Sequence, residues 1–180
     1  MLPGKDTKEK RQHSTPYIPY SHYECRLPES FMNVPMHWHN EFELNYITNG
    51  KGEFICGTQK FEAHEGDILI LPPNMLHSAY LCKDNELIYH AFVFHPVLLG
   101  NAGSDRCSVE FIRPIVNGTV QMDVRVHPNT KNYNHIKAAA EQILACVWSD
   151  CAQMDLLLKS ELLKLFWLLQ DNGNIFLQIE

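Results

Sequence analysis

Between Tyr17 and about Val126 the apolar residues come in short bursts, rich in β-branched and aromatic side chains and separated by turn formers. That texture predicts strands rather than helices. The segments are Tyr20–Leu27, Phe42–Thr48, Gly52–Cys56, Gln59–Ala63, Asp67–Leu71, His77–Cys82 and Leu87–His95, with a weaker pair between Ser108 and Val126. Asn49-Gly50-Lys51-Gly52 reads as a hairpin, because Asn and Gly tolerate the positive φ of tight turns. Many short antiparallel strands in succession point to a sandwich or a barrel.

After Pro128 the period changes. Ile136, Ala140, Ile143, Leu144 and Val147 recur at helical spacing between about 132 and 149. A second helix is expected over 153–170, carrying Leu156, Leu157, Leu163, Leu165, Phe166, Trp167 and Leu169. Ser149 or Asp150 offers a cap at its start, and Asn172-Gly173 a stop at its end. Apolar residues surround most of this helix, more than one packing face needs. Two arrangements account for that: a helix held between the β-domain and the first helix, or a seam between two copies of the chain. The two are compatible.

Composition narrows the classes. A chain of 180 residues with a formal charge of −6 is long enough for one substantial core and is acidic overall. Its basic cluster of Lys5, Lys8, Lys10 and Arg11 is interleaved with Asp6 and Glu9, so the chain offers no surface for gripping DNA phosphates. Residues 1–6 are charged early and lead into no apolar export segment. No uninterrupted apolar stretch approaches the roughly 18 to 20 residues of a membrane span. The expected location is the cytoplasm, with no membrane partner. The six cysteines are scattered without a C-x-x-C pair, which fits free and mostly buried thiols.

The chemistry concentrates between Pro35 and His77. His37-Trp38-His39 is followed by Asn40-Glu41-Phe42-Glu43, and Gly66 precedes Pro72, Asn74 and His77. Strand alternation puts His37 with His39 on one face, and Glu43 with Asn45. Phe42, Leu44 and Tyr46 take the opposite face. Three imidazoles and a carboxylate can therefore converge inside a barrel, a disposition suited to a small polar ligand. The set His37, His39, Glu43 and His77 is also a candidate ligand shell for one divalent metal. Such nitrogen and oxygen donors suit Zn, Ni, Fe or Mn without choosing among them.

The pattern HxHxxxE, with Gly50 six residues further on, and then GxxxxxPxNxxH resembles the paired motifs of the cupin superfamily. His37, His39, Glu43 and His77 stand where metal-binding cupins place their ligands. Phe31 replaces the glycine of the first motif, and Asn74 that of the second; Asn also tolerates a left-handed turn. The runs His37–Ile47 and Gly66–His77, with two helices after the β-segments, are similar to the N-terminal domain of AraC-like transcription regulators. The resemblance covers roughly 17–170. It implies a mainly β fold: a cupin-type double-stranded β-helix (jelly-roll) barrel over 17–128, preceded by a flexible arm at 1–16. Two antiparallel α-helices would follow in a dimerisation and linker region at 129–180. It also implies a small-molecule effector in the barrel, a homodimer through the helices, and DNA contact only through a helix-turn-helix part that these residues do not include.

Each sharp reading has a plain counterpart. AraC-like barrels also keep such histidines as hydrogen-bonding pocket walls without metal. His90, in the strand Leu87–His95, either faces the cavity or is packed. Tyr20, like Tyr17 and Tyr23, either stacks on a ligand beneath a closing arm or packs an edge strand. His64, His95, His127 and His135 are expected to be exposed. The rival from another class is a small metal-dependent cupin enzyme of the dioxygenase or isomerase type. No catalytic residue is assigned. The candidate ligand-binding set is therefore His37, His39, Glu43, Asn45, His77, His90 and Tyr20.

Overall fold

One long strand, β3 (Phe42–Cys56), organises the molecule in a computed structural model that describes residues 7–82, 85–149 and 151–177. Its first half lies between β7 (Leu87–Phe94) and β5 (Ile68–Leu71), in a sheet ordered β1 (Tyr20–Leu27), β7, β3, β5 and β9 (Arg125–Val126). Its second half lies between β4 (Gln59–His64) and β6 (His77–Leu81), and β2 (Asn33–His37) pairs with β6. A single strand thus crosses from one sheet to the other, and the two sheets close into a cupin-type barrel.

That crossing corrects the hairpin reading at Asn49–Gly52. The chain does not turn back there; it bends. Register shifts between Ile47 and Asn49, and Gly50 takes a φ of 72°. The glycines serve close approach as well. A Cβ on Gly50 would lie 1.9 Å from the Glu86 carbonyl oxygen, and one on Gly52 would lie 2.5 Å from the Leu87 side chain. Glycine removes the side chain that a bent central strand has no room for.

The weaker pair of strands expected between Ser108 and Val126 falls at the end of that interval, as β8 (Val120–Met122) and β9. Ser108–Ile112 is a π-helical turn that runs into α1 (Arg113–Val116), followed by β8. Ile112 and Ile115 are buried there, so packing has overridden strand propensity. β8 pairs with β10 (Ile175–Leu177), a strand the chain's pattern did not reveal.

Two cores divide the interior. Inside the barrel, Leu27, Ile47, Phe54, Leu69, Leu71 and Tyr89 form one. Against the barrel's outer face, Phe42, Leu44, Phe92 and Phe94 meet α2 (Tyr133–Val147) and α3 (Met154–Asn172) in the other. The expected helical positions Ile136, Ala140, Ile143, Leu144 and Val147 are all buried. α3 inserts Leu158, Leu162, Leu165, Phe166 and Leu169, but leaves Leu156, Leu163 and Trp167 exposed. Its start is Gln153, with no side-chain cap, so Ser149 does not cap it; Asp150 lies outside the described residues. Gly173 ends it in a left-handed conformation, as expected.

All six cysteines are free; Cys25, Cys56 and Cys146 are buried, whereas Cys107 and Cys151 are exposed. Among the described residues no helix is long and apolar enough to cross a membrane.

Candidate functional site

Local backbone geometry brings the motif residues together. β2 delivers His37 opposite His77 of β6. His39 follows in the loop beyond, and its carbonyl accepts a 2.8 Å bond from the Asn74 backbone N–H. Asn74 adopts a φ of 67°, the left-handed turn that its side chain tolerates, and so steers the chain into β6. Glu43 and Asn45 rise from β3 on the cavity side, with Phe42, Leu44 and Tyr46 on the helix side. The alternation expected for this strand is realised.

Donor atoms of His37, His39, Glu43 and His77 all lie within 4.8 Å of one another. His39 Nε2 is 3.0 Å and His77 Nε2 3.3 Å from Glu43 Oε2. Donors about 2.1 Å from a shared ion stand about 3.0 Å apart at right angles and about 3.4 Å apart at the tetrahedral angle. The two spacings to Glu43 fall in that range.

The outer partners fit a cation too. His37 Nδ1 donates to the Pro35 carbonyl at 2.9 Å and His77 Nδ1 to the Met75 carbonyl at 2.8 Å. Both Nε2 atoms thereby keep a lone pair facing inward, the orientation that metal-bound histidines use. His77 Nε2 is buried and makes no well-directed hydrogen bond. Asn45 donates to Glu43 Oε1 at 2.8 Å and fixes the carboxylate from below.

Electrostatics bind the cluster. Burial pushes the Glu43 carboxyl up, but the His77 charge and the bond from His39 hold it well below the usual carboxylate range. Burial works against charge on His77 as well, yet the adjacent Glu43 carboxylate raises its pKa. His37 is lowered, by burial and by His77 beside it.

The cluster opens into a cavity of about 360 Å³ lined by Glu9, Arg11, His13, Tyr23, Phe31 and Val34, with Cys25, Tyr89 and Ala91 deeper in the wall. Burial drives the Cys25 thiol up to about 11, so it is an uncharged wall group and not a nucleophile. Arm residues 7–13, expected to be mobile, lie over the mouth. Lys8 bridges Trp38, the Glu9 N–H donates to the Trp38 carbonyl at 2.9 Å, and His13 is buried. Glu9 and His13 were not singled out from the sequence. They stand four apart in a charged segment with no strand or motif pattern, and only the tertiary contact marks them.

Two expected pocket residues lie elsewhere. Tyr20 packs on Phe92 and donates to Asp155 Oδ1 at 2.8 Å, on the helix side. His90 points outward, edge-on to Trp148 with ring centroids 4.7 Å apart. In β7 the cavity-facing positions are Tyr89, Ala91 and Val93, and alternation sends His90 to the other face. His64, His127 and His135 are exposed, while His95 is half-buried.

The family model for the AraC-like ligand-binding domain matches residues 22–166, spanning the barrel cluster, α2 and most of α3. The chain belongs to that family. This AraC-like domain is 32% identical over 86 residues to YdeC of Bacillus subtilis (strain 168), an uncharacterized HTH-type transcriptional regulator. The match covers 47% of this chain and 30% of YdeC, so the chain corresponds to less than a third of that regulator. Among solved structures, a cupin-like protein from Thermotoga maritima is 21% identical over 42% of this chain and 57% of its own, with a TM-score of 0.38. A Cupin 2 conserved barrel domain protein from Salinispora arenicola CNS-205 is also 21% identical, over 53% and 71%, with the same TM-score.

Proposed function

We propose that this AraC-like domain is the effector-sensing part of a cytoplasmic transcription regulator and binds a small polar molecule in its barrel cavity. The observation that carries this reading is a polar cluster, half-buried His37 with buried His39, Glu43 and His77, of which His37 and Glu43 line a ligand-sized cavity. Asn45 holds Glu43 in place, and His13, Tyr23 and Arg11 supply polar groups at the rim. His37, His39, Glu43 and His77 would hold one divalent cation of the Zn, Ni, Fe or Mn type. Such a cation supplies a Lewis-acidic anchor for an oxygen donor of the effector.

Output then passes through the helices. α3 exposes Leu156, Leu163 and Trp167 along one stripe, a face suited to a homodimer. DNA contact belongs to a helix-turn-helix part outside these residues. Effector binding biases that part by favouring one arrangement of the arm or the helix pair.

In a full-length regulator carrying this domain, Glu43→Ala and His77→Ala are expected to abolish the effector-dependent change in reporter output. An unchanged response would remove the cavity from the account. Trp167→Glu is expected to halve the mass seen in sedimentation. The four-donor set facing an open cavity also supports a second reading, a metal-dependent cupin enzyme. Incubation of the metal-loaded chain with candidate ligands, followed by oxygen consumption and by product analysis, separates the two.

A further inference from the structure

The arm brings a carboxylate to the edge of the imidazole cluster. Glu9 Oε2 stands 3.4 Å from His37 Nε2, the nitrogen left inward-facing by the bond from Nδ1 to Pro35. The same oxygen accepts a 2.8 Å bond from His13 Nε2, and His13 Nδ1 is 3.0 Å from the Tyr23 hydroxyl. Glu9 thus has an outer partner that aims it, as ligands in metal sites have.

Its backbone is fixed from the site itself. The Glu9 N–H donates to the Trp38 carbonyl, and the Trp38 N–H donates to the Thr7 carbonyl at 3.1 Å. Trp38 is the residue between His37 and His39, so the arm is laced to the segment that carries two of the four donors. The Lys8 ammonium lies 5.0 Å from the centre of the Trp38 ring and adds to that hold. The Glu9 side chain is only 25% exposed, and it is placed at the open side of the cluster beside the cavity.

We propose that Glu9 is the arm's own contact with the cation of the His37–His39–Glu43–His77 cluster, so that cation binding and arm docking strengthen one another. This rests on the cation reading of the cluster and adds a residue outside its motifs. The cluster alone supplies one carboxylate against a divalent charge, and Glu9 supplies a second. Linkage makes the effect mutual: whatever factor the docked arm adds to cation affinity, the cation adds to arm docking.

The test uses the whole chain with Zn²⁺ as probe. Calorimetric titration is run on the wild type, on Glu9→Gln and on His77→Ala, and hydrogen exchange over residues 7–13 is followed with and without Zn²⁺. Expected are tight binding to the wild type, roughly tenfold weaker binding to Glu9→Gln, and slower exchange of the arm on adding Zn²⁺ to the wild type only. Glu9→Gln keeps the side-chain shape and removes the charge, and its thermal unfolding without metal verifies that it folds. Wild-type affinity in Glu9→Gln, or an arm whose exchange ignores Zn²⁺, overturns the proposal while leaving the four-residue site in place. Failure of the wild type to bind Zn²⁺ overturns the cation reading and this proposal together, and leaves the effector cavity as a hydrogen-bonding pocket.

Discussion

The first half of β3 serves two regions with opposite chemistry. Toward the helices it presents Phe42, Leu44 and Tyr46; toward the barrel interior it presents Glu43, Asn45 and Ile47. All six are buried. On the helix side Phe42 stacks on Phe94 at 5.3 Å and meets Phe166 edge-on at 5.2 Å, and nothing polar interrupts the contact. On the interior side a carboxylate and an amide are taken out of water: Glu43 is partnered by His39, His77 and Asn45, and Asn45 by Glu43. Burial is therefore not what distinguishes core from site. A buried apolar face lowers the free energy of the fold, whereas a buried charge costs it unless partners compensate. The helix face should govern stability and the interior face binding.

The largest effect expected from breaking that division is on stability. Phe42→Ala should cost about 3–5 kcal/mol, the usual loss for a fully buried ring, read from the midpoint of denaturant unfolding. Glu43→Gln on the other face should cost only about 1–2 kcal/mol, because the shape and the Asn45 contact survive. It should nevertheless remove most Zn²⁺ affinity in a calorimetric titration. Equal destabilisation by the two substitutions would erase the contrast.

A pH series sharpens it further. His77 has a folded pKa raised above its ordinary value, so the stability it gains from Glu43 is present at pH below about 6.5 and is lost as pH rises through the folded value. Glu43 acts at the other end: its pKa is depressed, so its contribution is present above about 4.5 and is lost as pH falls through the folded value. Metal binding has the reverse slope to His77, since only a neutral imidazole ligates and uptake releases the proton. Melting temperature without metal should fall as pH rises past the His77 value, and the increment from Zn²⁺ should grow over the same interval. Parallel curves with and without Zn²⁺ would show that the cation and the His77 proton do not compete.

Much of this contrast was legible in the chain. The period-2 alternation around Glu43 and the spacing of His37, His39 and His77 are local facts, and the barrel realises them directly. Helical spacing likewise identified the buried positions of α2. What was not legible depends on contacts distant in sequence. Gly50 and Gly52 spell a hairpin locally, and only the crowding by Glu86 and Leu87 turns them into a bend. Tyr20 and His90 lie in correctly read strands, but which face turns inward is decided by pairing with β3 and by the helices outside. Glu9 and His13 carry no pattern, and their importance arises from the arm's path over Trp38.

The smallest expected effect separates a misplaced residue from a site residue. Tyr20→Phe removes only the bond to Asp155, at a cost of about 0.5–1 kcal/mol, and should leave ligand and metal affinity unchanged. A loss of cavity binding in that variant would return Tyr20 to the pocket.

Metal content decides whether His37, His39, Glu43 and His77 act as one centre that takes a cation. Elemental analysis of protein purified without a histidine tag, beside His77→Ala, tests it most directly. About one divalent metal per chain is expected in the wild type and none in the variant. Absence of metal from both, or equal metal in both, would contradict it.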